Sequence, residues 1–284
     1  MDRPHTLISS PPSGPVKMPV MVPLPEAERL QRRRIELGDD AGTTVHIALY
    51  PRSGFRARLV RITPVAALKQ WSSANGVADA IVGGFFIRAE GMPLGELRLD
   101  GVCQPSQPFE SPWDRTRACI QIDGDEVRCA SRSQFAAEPR GDLLQAGPLL
   151  VEGGVSCLVG TTDAEGFSAA AHQFDSDITH GRFPRAALGI NQSTLIAVVC
   201  DGRSDSDAGM SLAELAATMV ELGATEAINL DGGGSASLLV GGQLVNVPRE
   251  EHGRLLAGGR AISTAITFGR HRSQGPSAPD GGPR

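Results

Sequence analysis

The chain has 284 residues, of which 40% are hydrophobic, 21% charged and only 4% aromatic. That length supports one large core or two small ones, and a net charge of -5 with a pI near 5.7 gives no electrostatic reason to expect nucleic acid or an anionic membrane as partner. Any anion it binds must be gripped locally, and the scarcity of aromatic rings argues against a long sugar-stacking platform.

Residues 1–24 are rich in Pro and Ser and read as an extended tail. No basic start followed by an apolar run marks a secretory leader, and no stretch has the apolar length of a bilayer span. Cys103, Cys119, Cys129, Cys157 and Cys200 are odd in number and lack zinc-like spacing, so mostly buried thiols in a reducing, cytoplasmic setting are expected. Residues 25–37, PEAERLQRRRIEL, open on proline and acids, end in bases and precede Gly38. This pattern predicts a short helix with Arg32, Arg33 and Arg34 on a solvated face. The expected organisation is a tail and short helix over 1–40, one domain over 41–268, and a disordered tail over 269–284.

Between the tails the dominant hydrophobic period is two. TTVHIALY alternates Val45, Ile47 and Leu49; GFRARLVRIT alternates Phe55, Ala57 and Leu59; CIQIDGDEVRC places Asp-Gly between two strand-like runs as a hairpin does. The apolar runs ADAIVGGFF, AGPLLVEGG, STLIAVVC and AISTAITF read as more deeply buried strands. Helices are few. Thr63-Pro64 opens a helical run VAALKQW, and Ser211 with Glu214 forms a capping box ahead of Leu212, Leu215, Ala216, Met219 and Leu222, closed by Gly223. Gly241-Gly242 turns a hairpin into QLVNV. The expected fold is α+β, a strand-rich mixed-sheet domain with a few flanking helices.

Residues 194–240 read as strand, loop, helix, strand, glycine bend and strand, which favours a parallel strand pair with both C-terminal ends on one sheet edge. Asp201, Gly202 and Arg203 follow the first strand; Asp231, Gly232, Gly233, Gly234 and Ser235 follow the second. Three glycines in a row weaken a strand unless backbone must approach something closely. Paired carboxylates divide acid, base or nucleophile roles when their surroundings separate their pKa values, and glycine amides with an arginine fork hold phosphate. The plainer reading of Asp201 and Asp231 is that each caps a turn. A Walker loop is excluded because no lysine follows a glycine cluster, and a nucleophile elbow because Ser235 is followed by Ala236 and Ser237. HQFDSDITH, His172 to His180, reads as a polar loop whose spacing matches no helical metal motif.

The series ADAIVGGFF, QAGPLLVEGG, RFPRAALGI, VVCDGR, SLAELAATMVELGATEAINLDGGGSASLLVGGQLVN and GGRAISTAI, across residues 78–268, resembles the phosphodiester glycosidase family. The resemblance implies a strand-dominated α+β domain and a hydrolase that splits the bond between an anomeric carbon and a phosphodiester, releasing free sugar and a phosphomonoester. It implies Asp231 and Asp201 as catalytic groups, with Arg185 and Arg203 on the phosphate. Gln145, Asn229, Gly232, Gly233, Gly234, Ser235, Asn246 and Arg260 are implied as substrate-binding residues. The implied partner is a small phosphosugar; no cofactor is called for, and a divalent metal is left open. Two alternatives stand beside it, a metal-dependent phosphodiesterase attacking phosphorus and a non-catalytic phosphosugar-binding protein. The chain departs from the family pattern at Val82, Ala186 and Gly259, each lacking an expected polar side chain.

Overall fold

The computed structural model describes residues 29–158, 163–167 and 181–271. The tails 1–24 and 272–284 and the His172 to His180 segment lie outside the described residues. A seven-stranded sheet carries β1 (Leu30–Glu36), β2 (Gly42–Pro51), β12 (Leu149–Glu152), β13 (Val155–Ser156), β14 (Arg185–Ile190), β15 (Thr194–Cys200) and β16 (Glu226–Asn229) in the order β1-β2-β15-β14-β16-β12-β13. Its central strands are apolar on both faces because both are covered. Leu195, Ala197 and Val199 of β15 enter the main core, whereas Ile196, Val198 and Cys200 meet Leu215, Ala216 and Met219 of helix α3 (Leu212–Glu221). Burial on both sides is why STLIAVVC reads as one continuous apolar run.

A second sheet, of order β18-β17-β4-β19-β3, holds β3 (Phe55–Ala67), β4 (Ala80–Val82), β17 (Leu238–Val240), β18 (Gln243–Leu244) and β19 (Ala261–Arg270). A third, of order β10-β9-β11-β7-β8, holds β7 (Leu97–Leu99), β8 (Val102–Cys103), β9 (Ala118–Asp123), β10 (Glu126–Ser131) and β11 (Asp142–Gln145); β5 (Phe86–Ile87) and β6 (Met92–Pro93) form a separate pair. Ile81, Leu144, Leu188, Ile228 and Ile266 meet in one core that draws on all three large sheets. Two further helices, α1 (Leu68–Asn75) and α2 (Trp113–Thr116), are peripheral. Ser211 and Glu214 form the expected capping box, Glu214 N donating to Ser211 Oγ at 3.2 Å and Ser211 N to Glu214 Oε2 at 2.8 Å. Gly241 and Gly242 take φ of 58° and 77°, as the two-residue hairpin between β17 and β18 requires.

Three elements differ from the sequence reading. Within PEAERLQRRRIEL, whose residues 25–28 lie outside the described residues, the expected helix does not extend over residues 30–36: these are an edge strand paired antiparallel to β2, from Leu30 opposite Ala48 to Glu36 opposite Gly42. A short isolated helix is a weak competitor to seven residues of ladder, and the arginine run suits an edge that must not pair further. Pro64 does not start a helix; β3 runs through it to Ala67, and α1 begins at Leu68. The β3–β19 register shifts between Ile262 and Thr264, so Pro64 falls at an irregularity, where a missing N–H costs no ladder bond. Finally, β15 and β16 run parallel but are not neighbours. β14 lies between them, antiparallel to both, and all named strand pairs are antiparallel.

Candidate active site

The α3 crossover places the C-terminal ends of β15 and β16 on the same edge, and Pro184, just ahead of β14, is where the two following loops meet. A Cβ on Gly202 would lie 2.9 Å from Pro184 N, and one on Gly232 would lie 2.8 Å from Pro184 O, which also accepts from Gly233 N at 2.8 Å. Beyond Asp231 the chain leaves the seven-stranded sheet, makes a 3-10 turn over Gly233–Ser235 and enters the second sheet as β17. Asp231 N donates to Gly83 O at 2.9 Å, which ties this crossing to the end of β4.

Each glycine is small for its own reason. Gly232 presses on Pro184. Gly233 has φ of 58°, and a Cβ there would lie 3.2 Å from Arg203 Nη1; one on Gly234 would meet Leu256, Glu250 Oε1 and Arg260 Nη2 at 2.9, 3.0 and 3.1 Å. The bend therefore lies against two guanidinium groups and a carboxylate. Arg203 has φ of 58° itself and donates to Arg249 O at 3.3 Å. Arg203 and Arg185 both stand 5.5 Å from the Phe183 ring.

Asp231 is half-buried. Burial pushes its carboxyl up to about 6, against the lowering pull of the Ser235 hydroxyl, Arg260, the Gly232 amide at 2.9 Å and Arg88. Arg260 donates to Ser235 Oγ at 3.4 Å and forks onto Glu250 through Nε (2.8 Å) and Nη2 (2.5 Å). A chain of contacts thus runs Asp231, Ser235, Arg260, Glu250.

The other sequence candidates fall around this centre. Asp201 has both carboxylate oxygens engaged, Oδ2 with His46 Nε2 at 2.9 Å and Oδ1 with Val247 N at 2.7 Å, while its carbonyl accepts from Thr43 Oγ1. That geometry fits a brace joining β2, β15 and the loop at Val247. Arg185 is 3% exposed and donates to Met210 O at 3.1 Å and Gly181 O at 3.4 Å. Asn229 Nδ2 donates to Gly147 O at 2.9 Å, and its buried Oδ1 has no hydrogen-bond partner among the described residues. Asn246 clamps the chain between the bend and β17, accepting from Leu238 N and donating to Ala236 O. Gln145 reaches Glu96 N and Asp114 O and lines a groove of about 620 Å³ that shares no residue with the Asp231 cluster. Glu165, pushed up to about 7 by burial, accepts from Leu149 N and Ala118 N beside the Gln-Ala-Gly-Pro segment.

Sequence reasoning missed His46, Glu250, Arg88 and Phe183. His46 hides in the period-two pattern of β2, and Glu250 follows no motif; Arg88, directly after the GGFFI run, was the most accessible to reading. Of the three departures, Val82 and Ala186 are fully buried in the main core, and Gly259 has φ of 90° with Ser237 Oγ 2.7 Å from where its Cβ would stand.

The sequence matches the phosphodiester glycosidase family over residues 75–268. Comparison with curated proteins gives no match. The fold is similar to that of a Synechocystis hypothetical protein, with a TM-score of 0.57 at 20% identity over 84% of this chain and 61% of that one. It is similar also to the zebrafish N-acetylglucosamine-1-phosphodiester alpha-N-acetylglucosaminidase catalytic domain, with a TM-score of 0.62 at 20% identity over 84% of this chain and 81% of that one. A Burkholderia pseudomallei protein aligns with a TM-score of 0.56 at 16% identity over 82% of this chain and 75% of that one. At these identities the structural likeness is one of fold. The family match covers most of the described chain and includes the DGR loop, the capped helix and the glycine bend, and on that ground the chain belongs to the phosphodiester glycosidase family.

Proposed function

We propose that the protein hydrolyses the glycosidic C1–O bond of a sugar-1-phosphodiester. The observation that carries this reading is the placement of one carboxyl, Asp231, against a glycine bend flanked by the Arg203 and Arg260 guanidinium groups. Water adds to C1 as the C1–O bond breaks; Asp231 takes the proton from the water, and the phosphomonoester departs with the bonding electron pair. Because that leaving group is already a stable anion, a strong general acid is not needed, and charge stabilisation on the phosphate matters most. Arg203 and Arg260 serve it, with Arg185 sharing the Phe183 ring with Arg203, and the Gly232 to Ser235 segment lies along the phosphate or sugar oxygens.

Asp231 works as a base only when ionised, so activity rises with pH through about 6. Asp201, with its oxygens occupied by His46 and Val247, orients the Arg203 loop rather than touching substrate. The test is a mass-spectrometric screen of sugar-1-phosphodiesters and nucleotide sugars against the wild type and Asp231→Asn. Release of free sugar by the wild type and a loss of about 100-fold or more in the variant are expected, in the range for removing a catalytic base. Turnover by Asp231→Asn at the wild-type rate contradicts the assignment.

A further inference from the structure

The Pro248 to Gly259 loop, which no motif announces, packs against the glycine bend and the Arg203 loop. It is pinned to both functional loops: Arg203 donates to Arg249 O at 3.3 Å, a Cβ on Gly253 would lie 2.8 Å from Arg203 O, and Arg260 N donates to Gly234 O at 3.0 Å. The Glu250 and Arg260 side chains are 17% and 15% exposed, which makes this an enclosed, two-point ion pair rather than a surface one. One carboxylate oxygen and one guanidinium nitrogen stand over Gly234, 3.0 and 3.1 Å from where a Cβ would lie.

We infer that Glu250 is a positioning residue that acts on Asp231 as a counter-charge through Arg260: the Arg260 guanidinium forks onto Glu250 and reaches Ser235 Oγ, and Ser235 in turn bonds the Asp231 carboxyl. The inference deepens the proposed function and rests on it for its meaning in turnover. Asp231 faces Arg260 and Arg88, and Glu250 faces Arg260, Arg88 and Arg203. On the same loop Arg249 turns away to Gly253 O at 2.9 Å. Arg260 holds Glu250 below the usual carboxylate range, so it stays ionised while Asp231, buried, titrates higher. Two carboxylates with separated ionisation are thus linked through one arginine, and the charge on Glu250 offsets part of the field that Arg260 exerts on Asp231.

The experiment is an NMR titration of the Asp231 carboxyl in aspartate-labelled protein, for the wild type, Glu250→Gln, Arg260→Gln and the double variant, with turnover followed separately. Removing the negative charge takes away one offset to the Arg260 field, so Glu250→Gln shifts the Asp231 titration down, by about half a pH unit or more. Arg260→Gln shifts it up. The double variant lies closer to wild type than Arg260→Gln does. If Arg260→Gln does not fold, Arg260→Lys, which keeps the charge and loses the fork, gives a smaller upward shift; Glu250→Asp, which keeps the charge, lies between wild type and Glu250→Gln. An unmoved or upward titration in folded Glu250→Gln overturns the inference. Where sugar release is observed, that result leaves the proposed function standing; the expected shifts in a protein that releases no sugar sink the proposed function and leave the Glu250 coupling intact.

Discussion

Asp231 is held against its own ionisation, and that has a measurable sign. Its carboxyl titrates near 6 in the fold and near 3.8 ordinarily, so between those values the folded state binds more protons than the unfolded one. Stability contributed by this residue therefore falls as pH rises from about 4 to about 6. At pH 7.5 the ionised carboxylate costs up to about 3 kcal/mol, at about 1.36 kcal/mol for each pH unit separating the folded and unfolded titrations. Asp231→Asn is expected to be more stable than wild type in denaturant melts at pH 7.5 and nearly equal to it at pH 3.5. A variant weaker than wild type at pH 7.5 contradicts this. The residue itself was legible, since a carboxylate followed by three glycines and a serine interrupts a buried strand pattern for no structural gain. The geometric reason for each glycine was not, because Pro184, Arg203 and Glu250 come from three distant stretches.

At the level of elements, the loops after β15 and β16 are carried to one edge by a crossover helix and then locked from behind. Asp201 supplies the lock, accepting from His46 on β2 and from Val247 on the chain leaving β18. Asp201→Ala leaves those donors without their acceptor in an enclosed site, and at about 1–3 kcal/mol for each unmet group a loss of about 2–4 kcal/mol is expected. Asp231→Ala also leaves the Gly232 amide and Ser235 hydroxyl without their acceptor, but at pH 7.5 it removes a buried carboxylate that is costly to ionise, so its net loss is smaller. Urea melts of the two variants decide it, and equal stability removes the distinction between brace and catalyst. The capping box of α3 and the Gly241-Gly242 hairpin were legible because their signals are local. Residues 30–36 were not, because the partner that makes them a strand, β2, lies beyond the next turn and overrides helix-like end signals. Nor was β14: RAALGI has no distinctive alternation, yet its insertion between β15 and β16 turns an expected parallel pair into an antiparallel trio.

For the molecule as a whole, the site lies where the chain crosses from one sheet to another. Asp231 follows β16 of the seven-stranded sheet, Ser237 leads into the second sheet, and Gly83, just after that sheet's β4, accepts from Asp231 N. Such a crossing cannot be read from period-two patterns, which give strands without assigning them to sheets; the order of motifs gave the family, and tertiary packing gave the cluster of Arg203, Ser235, Glu250 and Arg260. The central claim is that bond cleavage occurs at the anomeric carbon with the phosphate as leaving group. Hydrolysis of a turned-over sugar-1-phosphodiester in oxygen-18 water tests it most directly. The account predicts heavy oxygen in the released sugar and none in the phosphomonoester; heavy oxygen in the phosphate means attack at phosphorus and contradicts it.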